Sequence, residues 1–423
     1  MITKIHVKKF KSLKSLDYEC AKLNVLTGLN GSGKSSLIQF ILFLKKMMAW
    51  DDPEGTNCSI RAIPPDTFYM TDGRDTWREL SFNVSFTYHD TRVNFKNPPV
   101  REGVFKRSIQ RLKDRTKQGY YSAQEDVFNF DTVKCEGEFE SEEDEERARD
   151  ELLEEVSADE GEWMCFWKEL LDHIRFVDAC RQSPTEINEL SSDFLDSWEE
   201  MDPAGNNAAE LLATVDGKYY TDVDIALRHP NCESATLKDQ VNAWLGQEVS
   251  PGAFVETRVV EDMNVVLMRF GFASAKGCLF RPENVGTGLS NVLPVLLTCL
   301  TARKGDTLLI ENPELHLHPR GQAKVGELIA RAVAAGAQVF VETHSDHVIN
   351  GMRVAVKKGI VKPQDVNIAF FTRRPHKPCS AVDKKREVYT EVSNIKVDGN
   401  GSLSEYPEDF MDEWNNQLME LLK

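Results

Sequence analysis

The sequence predicts an α/β fold divided by a large α+β insertion, and three observations carry that prediction. An apolar strand from Leu23 to Leu26 enters a helix through a glycine-rich loop. Strand and helix alternate again after about residue 280, and the stretch 51–279 between these parts lacks that rhythm.

In chain order, Ile2, Ile5 and Val7 alternate as a short first strand, and Leu23-Asn-Val-Leu26 is a second that stops at Thr27-Gly28. The run from Leu37 to Leu44 is apolar on every face and contains neither Gly nor Pro, so it reads as a helix sandwiched between layers. Leu80 to Tyr88 alternates like a half-covered strand. Toward the C-terminus, Thr307 to Ile310 reads as a strand and Gly321 to Ala335 as a helix with Val325, Leu328, Ile329, Ala332 and Val333 on one face. Gln338 to Glu342 then reads as a strand. Phe410, Met411, Trp414, Leu418, Leu421 and Leu422 have helical spacing, which predicts a last helix docked on the body. The expected organisation is therefore 1–50 with 280–423 as one domain and 51–279 as the insertion, with no internal repeat and no sustained heptads.

Among 423 residues, 41% are hydrophobic and 28% charged, enough for a sizeable core but without an apolar run near the roughly 18 residues of a membrane span. The basic N-terminus lacks the features of a secretory signal. Nine cysteines without a CxxC pair argue against a disulfide framework or zinc ribbon, so a cytoplasmic protein with no membrane partner is expected. The net charge of -17 is concentrated: between Glu136 and Glu162 there are 15 acidic residues against Arg147 and Arg149, read as a solvated face or loop. Residues 1–50 instead carry nine lysines against Asp17 and Glu19, which leaves room for a local polyanion site.

Gly28-Leu-Asn-Gly-Ser-Gly-Lys-Ser35 satisfies GxxxxGK[ST] between a strand and a helix, the context that a phosphate loop requires. The glycines let backbone N–H groups turn toward phosphate oxygens, and the helix N-terminus adds positive partial charge. Candidate nucleotide-binding residues are Gly28, Asn30, Gly31, Ser32, Gly33, Lys34, Ser35 and Ser36, with Lys34 on the outer phosphates and the Ser35 hydroxyl on a magnesium ion. Three weaker elements accompany the loop. Leu308-Leu-Ile-Glu311-Asn312-Pro313-Glu314 is an apolar strand ending in carboxylates, although many buried strands end in an acid. Val341-Glu-Thr-His344-Ser345 ends a strand on a histidine, usually a structural feature. Asn284-Val-Gly-Thr-Gly288-Leu-Ser290 precedes the helical run from Val292, where Ser290 is placed as an N-cap.

Order and spacing together resemble the ABC-type ATPase heads of the RecF, SMC and OLD-like group of AAA-family ATPases. The likeness is closest to stand-alone bacterial members whose acidic strand runs into a PE-x-HLHP segment, as Pro313-Glu-Leu-His-Leu-His-Pro319 does here. It covers about residues 1–50 and 280–375, and Arg181-Gln-Ser-Pro184 and Val241-Asn-Ala-Trp-Leu245 are similar to milder patterns of the group. The resemblance implies a two-lobed ABC-type P-loop ATPase head that uses ATP and Mg2+ and traps ATP between two subunits. Gly288 and Ser290 of one subunit would meet the γ-phosphate held by Lys34 of the other. Ser35 and Glu311 would serve the metal, His344 would be the switch histidine, and the His316 to Pro319 segment would cross the dimer interface.

Two departures stand out. The commoner strand ends Asp-Glu, whereas Glu311 and Asn312 occupy those places here; Asn cannot accept a proton, so either Glu314 supplies the base or hydrolysis is slow. The glutamine that usually links nucleotide to the lid has no counterpart, since Gln39 lies within the phosphate-loop helix. Two of the four histidines His316, His318, His344 and His347 already hold motif positions, and no cysteine lies nearby, so a zinc site is not expected.

The function expected from this resemblance is a slow Mg-dependent ATPase that dimerises on ATP and regulates a partner effector or a nucleic-acid transaction in phage defence. The stretch after His344 is too short for the nuclease domain that OLD-like relatives carry, so the effector is expected on a separate chain, such as a nuclease or toxin. The alternative is a RecF-like DNA-binding ATPase of repair or recombination, which requires the basic N-terminal and Arg101 to Lys117 surfaces to converge. The Gly-x-Ser and histidine elements argue against a small-molecule P-loop kinase, and the missing fuller glycine signature argues against a transporter motor.

Overall fold

The computed structural model describes residues 1–49, 81–88, 91–97, 106–112, 119–126, 129–137, 173–182, 185–190, 201–218, 222–275, 277–375 and 388–423. They form two compact units, one of Met1–Cys20, Asn30–His173 and Phe371–Ser393, the other of Ala21–Leu29, Ile174–Phe370 and Asn394–Lys423.

In the first unit, strands β1 (Ile2–Phe10) and β2 (Leu13–Glu19) make an antiparallel hairpin closed by Phe10 opposite Leu13. The chain crosses into the second unit for β3 (Leu23–Gly28) and re-enters the first as helix α1 (Lys34–Ala49). Strands β4 (Ser81–Tyr88) and β5 (Thr91–Asn97) complete an antiparallel sheet of order β2-β1-β4-β5. Phe40 of α1 meets Phe10 and Phe82 edge to face at 5.3 and 5.5 Å, which explains why this helix is apolar on the side that covers the sheet. Strands β6 (Lys106–Leu112), β7 (Gly119–Asp126) and β8 (Asn129–Gly137) form a separate antiparallel meander.

The second unit is built on a parallel sheet. Strand β9 (Ile174–Val177) is followed by β10 (Ile187–Glu189), α2 (Ala208–Lys218) and α3 (Leu237–Ala243). The Thr236 side chain caps α3, which winds on into a π-helical turn, Trp244–Val249, so the Val241 to Leu245 motif lies on this helix. Strands β11 (Ala253–Val260), β12 (Val265–Phe272) and β13 (Leu279–Phe280) form an antiparallel sheet with β10. Helix α4 (Thr287–Leu300) is buried from Gly288 to its end, as expected of a helix hydrophobic all round. Each of its enclosed leucines and valines contributes roughly 1.5–3 kcal/mol of burial. Then come β14 (Thr307–Glu311), α5 (Pro319–Ala334), β15 (Gln338–Glu342) and α6 (Asp346–Lys357). The proline at the first position of α5 has no N–H for the helix to satisfy, and Ser345 caps α6 by accepting from the N–H groups of His347 and Val348. Strands β16 (Val366–Pro375) and β17 (Val388–Ile395) each carry a boundary between the units, and the sheet order is β17-β16-β3-β15-β14-β9. Helix α7 (Glu413–Leu421) ends the chain.

The structure corrects several expectations. Ser290 is not an N-cap: α4 begins at Thr287 with Gly286 as its cap, so Ser290 is the fourth helical residue. The last helix is not docked through its apolar stripe, because Trp414 is 70% exposed and Leu421 82%, and only the preceding Phe410 is buried against Phe370. Spacing specifies that one face is apolar, not that something covers it. The stretch expected as insertion, 51–279, also contains β9, which pairs in parallel with β14 in the second unit. Most of the acidic run 136–162 and the Ser183-Pro184 pair lie outside the described residues, as does the Arg101 to Lys117 segment apart from β6.

Candidate functional site

The phosphate loop leaves β3 at Gly28 and enters α1 at Lys34. Gly31 and Gly33 have φ of +70° and +103°, left-handed conformations that a side chain would strain, which lets the loop turn its N–H groups inward. The first turn of α1 contains no acidic residue to cancel the positive end of the helix. Lys34 is only 3% exposed and Ser32 is fully buried; among the described residues the Ser32 hydroxyl has no hydrogen-bond partner. Two first-unit residues outside the motif brace this loop. Thr390 of β17 donates from Oγ1 to the Ser32 carbonyl at 2.8 Å, and the Ser12 and Ser36 hydroxyls are 3.0 Å apart. Gln39 accepts a bond from Lys11 Nζ at 2.8 Å.

In the second unit, Leu26 is registered beside Glu342, and Glu342 beside Glu311, so β3, β15 and β14 end on one edge of the parallel sheet. Open α/β sheets bind ligands at that edge. Beyond Glu311 the chain turns sharply at Asn312, φ +43°, whose N–H donates to the Glu342 carbonyl at 2.8 Å. Arg181 clamps the same turn from the other side, donating to the carbonyls of Glu311 at 3.0 Å and Asn312 at 2.6 Å. The Asn312 Oδ1 is buried and has no partner among the described residues.

Pro313 directs the chain back so that Glu314 faces the tip of β15. Its Oε2 accepts from Thr343 Oγ1 and its Oε1 from the His344 N–H, both at 2.8 Å. His344 itself is exposed. Gly288 abuts the carbonyl of His316, where a Cβ would collide with backbone, so glycine is required for α4 to approach this segment. Ser290, 1% exposed, has no partner for its hydroxyl among the described residues.

Burial, reinforced by Glu342 and Asp178, raises the Glu311 carboxyl from its ordinary 4.5 to about 7, with Arg181 pulling the other way. Burial likewise lowers Arg181 to about 10, against the carboxylates of Glu314, Asp178 and Glu311. Ionised Glu311 therefore costs the folded, nucleotide-free protein stability. That cost is absent below about pH 4.5, grows as pH rises, and is complete above about pH 7. Glu311→Gln should accordingly raise the melting midpoint by a few degrees at pH 8 and by much less at pH 5, as read by calorimetry.

The predicted residues thus fall into two sets: Asn30, Gly31, Ser32, Gly33, Lys34, Ser35 and Ser36 in the first unit, and Gly28, Gly288, Ser290, Glu311, Asn312, Glu314 and His344 in the second. The Ser35 hydroxyl and Glu311 carboxylate are hard oxygen donors of the kind Mg2+ prefers. In the sequence Arg181 stands out only as part of a pattern, and Asp178 and Thr390 do not stand out at all, since nothing local separates them from ordinary surface or strand residues.

A GxxxxGK[ST] loop that leaves a buried parallel strand and opens a helix defines a P-loop ATPase of the AAA class. Residues 23–169 and 268–350, more than half of the chain, match the family described as "AAA domain, putative AbiEii toxin, Type IV TA system". The chain belongs to that family. Residues 361–421 match a second family, described as a protein of unknown function (DUF3696). A sequence search of curated proteins finds no match. Among solved structures, the chain is similar to an SmcHead bound to the C-winged helix domain of ScpA, with 14% identity, TM-score 0.42, and coverage of 93% of this chain and 98% of that one. It is also similar to the SMC head domain from Thermotoga maritima, with 11% identity, TM-score 0.40 and coverage of 94% and 99%. A third likeness is to an Smc head domain with an extended coiled coil bound to the C-terminal domain of ScpA derived from Pyrococcus furiosus, with 13% identity, TM-score 0.41 and coverage of 100% and 99%.

Proposed function

We propose that this protein is a Mg-dependent ATPase that dimerises on ATP and uses the ATP-bound dimer to control a separate effector protein, a nuclease or toxin, in defence against phage. The observation that carries this reading is the tip of the parallel sheet, where the Glu314 carboxylate accepts from the His344 N–H, the Asn312 N–H donates to the Glu342 carbonyl, and Glu311 is registered beside Glu342 of β15, the strand next to β3. The family description, which couples an AAA domain with a toxin system, supports the effector part.

In this reading Lys34 and the loop N–H groups hold the phosphates, and Ser35 and Glu311 would hold Mg2+, which would supply charge neutralisation at the outer phosphates. Glu314 and Asn312 place the attacking water, and Glu314 ties that water to the backbone of His344, so loss of the γ-phosphate is felt at the strand tip. Gly288 brings the start of α4 against the His316 carbonyl, and the Ser290 hydroxyl, buried in the single copy, is uncovered when ATP brings a second copy onto this helix.

Ser290→Ala, which the buried site accommodates, should weaken ATP-dependent dimerisation while leaving the melting midpoint and the affinity of the monomer for ATP nearly unchanged. Light scattering with and without Mg-ATP measures the first effect and calorimetry the other two; a variant that dimerises on ATP as wild type does would refute the shared site. For the effector role, phage plating on cells carrying the native locus or its Lys34→Ala form should differ, and equal protection would remove ATP from the defence reading.

A further inference from the structure

Arg373 lies on the first-unit part of β16, beside the phosphate loop. Its guanidinium is seated against the open face of Gly31: a Cβ built on that glycine would lie 3.1 Å from one terminal nitrogen and 3.3 Å from Cζ. Gly31 is therefore constrained twice, by a φ of +70° and by the cation occupying the space where a side chain would go. The loop is also registered to this strand pair, because Thr390 of the neighbouring β17 donates to the carbonyls of Ser32 and Ser12 at 2.8 and 3.2 Å. Arg373 is exposed, and among the described residues no carboxylate forms an ion pair with it.

We infer that Arg373 is a second phosphate-binding cation of the loop, acting on the terminal phosphate and so distinguishing ATP from ADP. This rests on the ATP-binding reading above. The N–H groups that open α1 at Lys34 serve the inner phosphates, as helix N-termini do. Gly31 precedes that turn by three residues, on the side of the loop away from the helix start, so in the proposed complex the guanidinium against it meets the distal end of the triphosphate. A planar fork binds two phosphate oxygens at once, which a lysine ammonium cannot reproduce. A cation with no carboxylate partner gives up no ion pair when phosphate arrives.

The test is calorimetric titration of the full chain with Mg-ATP and with Mg-ADP, for wild type, Arg373→Ala, Arg373→Gln and Arg373→Lys, alongside melting midpoints without nucleotide. The expected result is a loss of about 10-fold or more in ATP affinity for the alanine and glutamine variants. ADP affinity should stay within about 3-fold, the melting midpoints should be unchanged, and lysine should recover only part of the loss. Equal losses for ATP and ADP with a lowered midpoint would mean that the guanidinium merely packs on the loop, and unchanged ATP affinity would also overturn the assignment. Wild-type protein that binds neither nucleotide would instead refute the ATP-binding reading itself, a failure that the variants alone cannot produce.

Discussion

Lys34→Ala should bind ATP at least about 100-fold more weakly than wild type, because charge-assisted phosphate bonds contribute roughly 1.5–3 kcal/mol each and every 1.4 kcal/mol is tenfold. The lysine is 3% exposed and opens the helix after a loop turned by Gly31 and Gly33, so removing it takes away the buried cationic partner of the phosphates. The fold should survive, since the apolar contacts of α1 with Phe10 and Phe82 lie further along the helix at Phe40. Titration with Mg-ATP measures the affinity, and a melting curve verifies folding. A folded variant with unchanged affinity would show that this loop is not a phosphate loop.

Hydrolysis should be slow in wild type and rise on the order of 10²-fold in Asn312→Glu, near the lower end of what a general base contributes. Two features of the turn hold the gain to that lower end. Asn312 has a φ of +43°, which asparagine tolerates better than glutamate, and a new carboxylate there would share the acidic neighbourhood of Glu311 and Glu314. The acceleration should therefore increase with pH as the added group ionises. Glu314→Gln should abolish turnover with ATP binding retained. Its side chain can keep both local bonds, the amide oxygen accepting from the His344 N–H and the amide nitrogen donating to Thr343 Oγ1, so the turn stays intact while the proton acceptor is lost. Single-turnover hydrolysis on the three proteins decides the matter. Fast wild-type turnover that survives Glu314→Gln would eliminate both residues as the source of the base.

The phosphate loop and the strands around it are legible in the amino-acid sequence. The GxxxxGK[ST] spacing specifies the backbone path of the loop, because only glycine adopts the φ found at Gly31 and Gly33 without strain, and the strands from Leu23, Thr307 and Gln338 follow from uninterrupted apolar runs of buried parallel type. The acidic and histidine tips are visible for the same reason, since polar residues that end such runs stand at the sheet edge.

Other features depend on contacts between residues far apart in the chain. Ser290 reads as a cap from its position before an apolar run, but the helix starts at Thr287 with Gly286 as its cap, and Gly288 packs against the His316 carbonyl, a contact that no local pattern encodes. The apolar stripe of Trp414, Leu418 and Leu421 is plain in the sequence, yet it faces outward, since periodicity describes a helix and not its surroundings. Strand pairing brings β9 to β14 and carries Arg181 onto the carbonyls of Glu311 and Asn312, 130 and 131 residues away. The direction of Glu314, which follows a proline and could have turned either way, is decided by Thr343 and the His344 N–H. Local chemistry thus determined which residues could bind phosphate and metal. Tertiary structure decided which neighbours orient them, because hydrogen bonds and close backbone approaches between distant segments are set by pairing and packing, not by spacing along the chain.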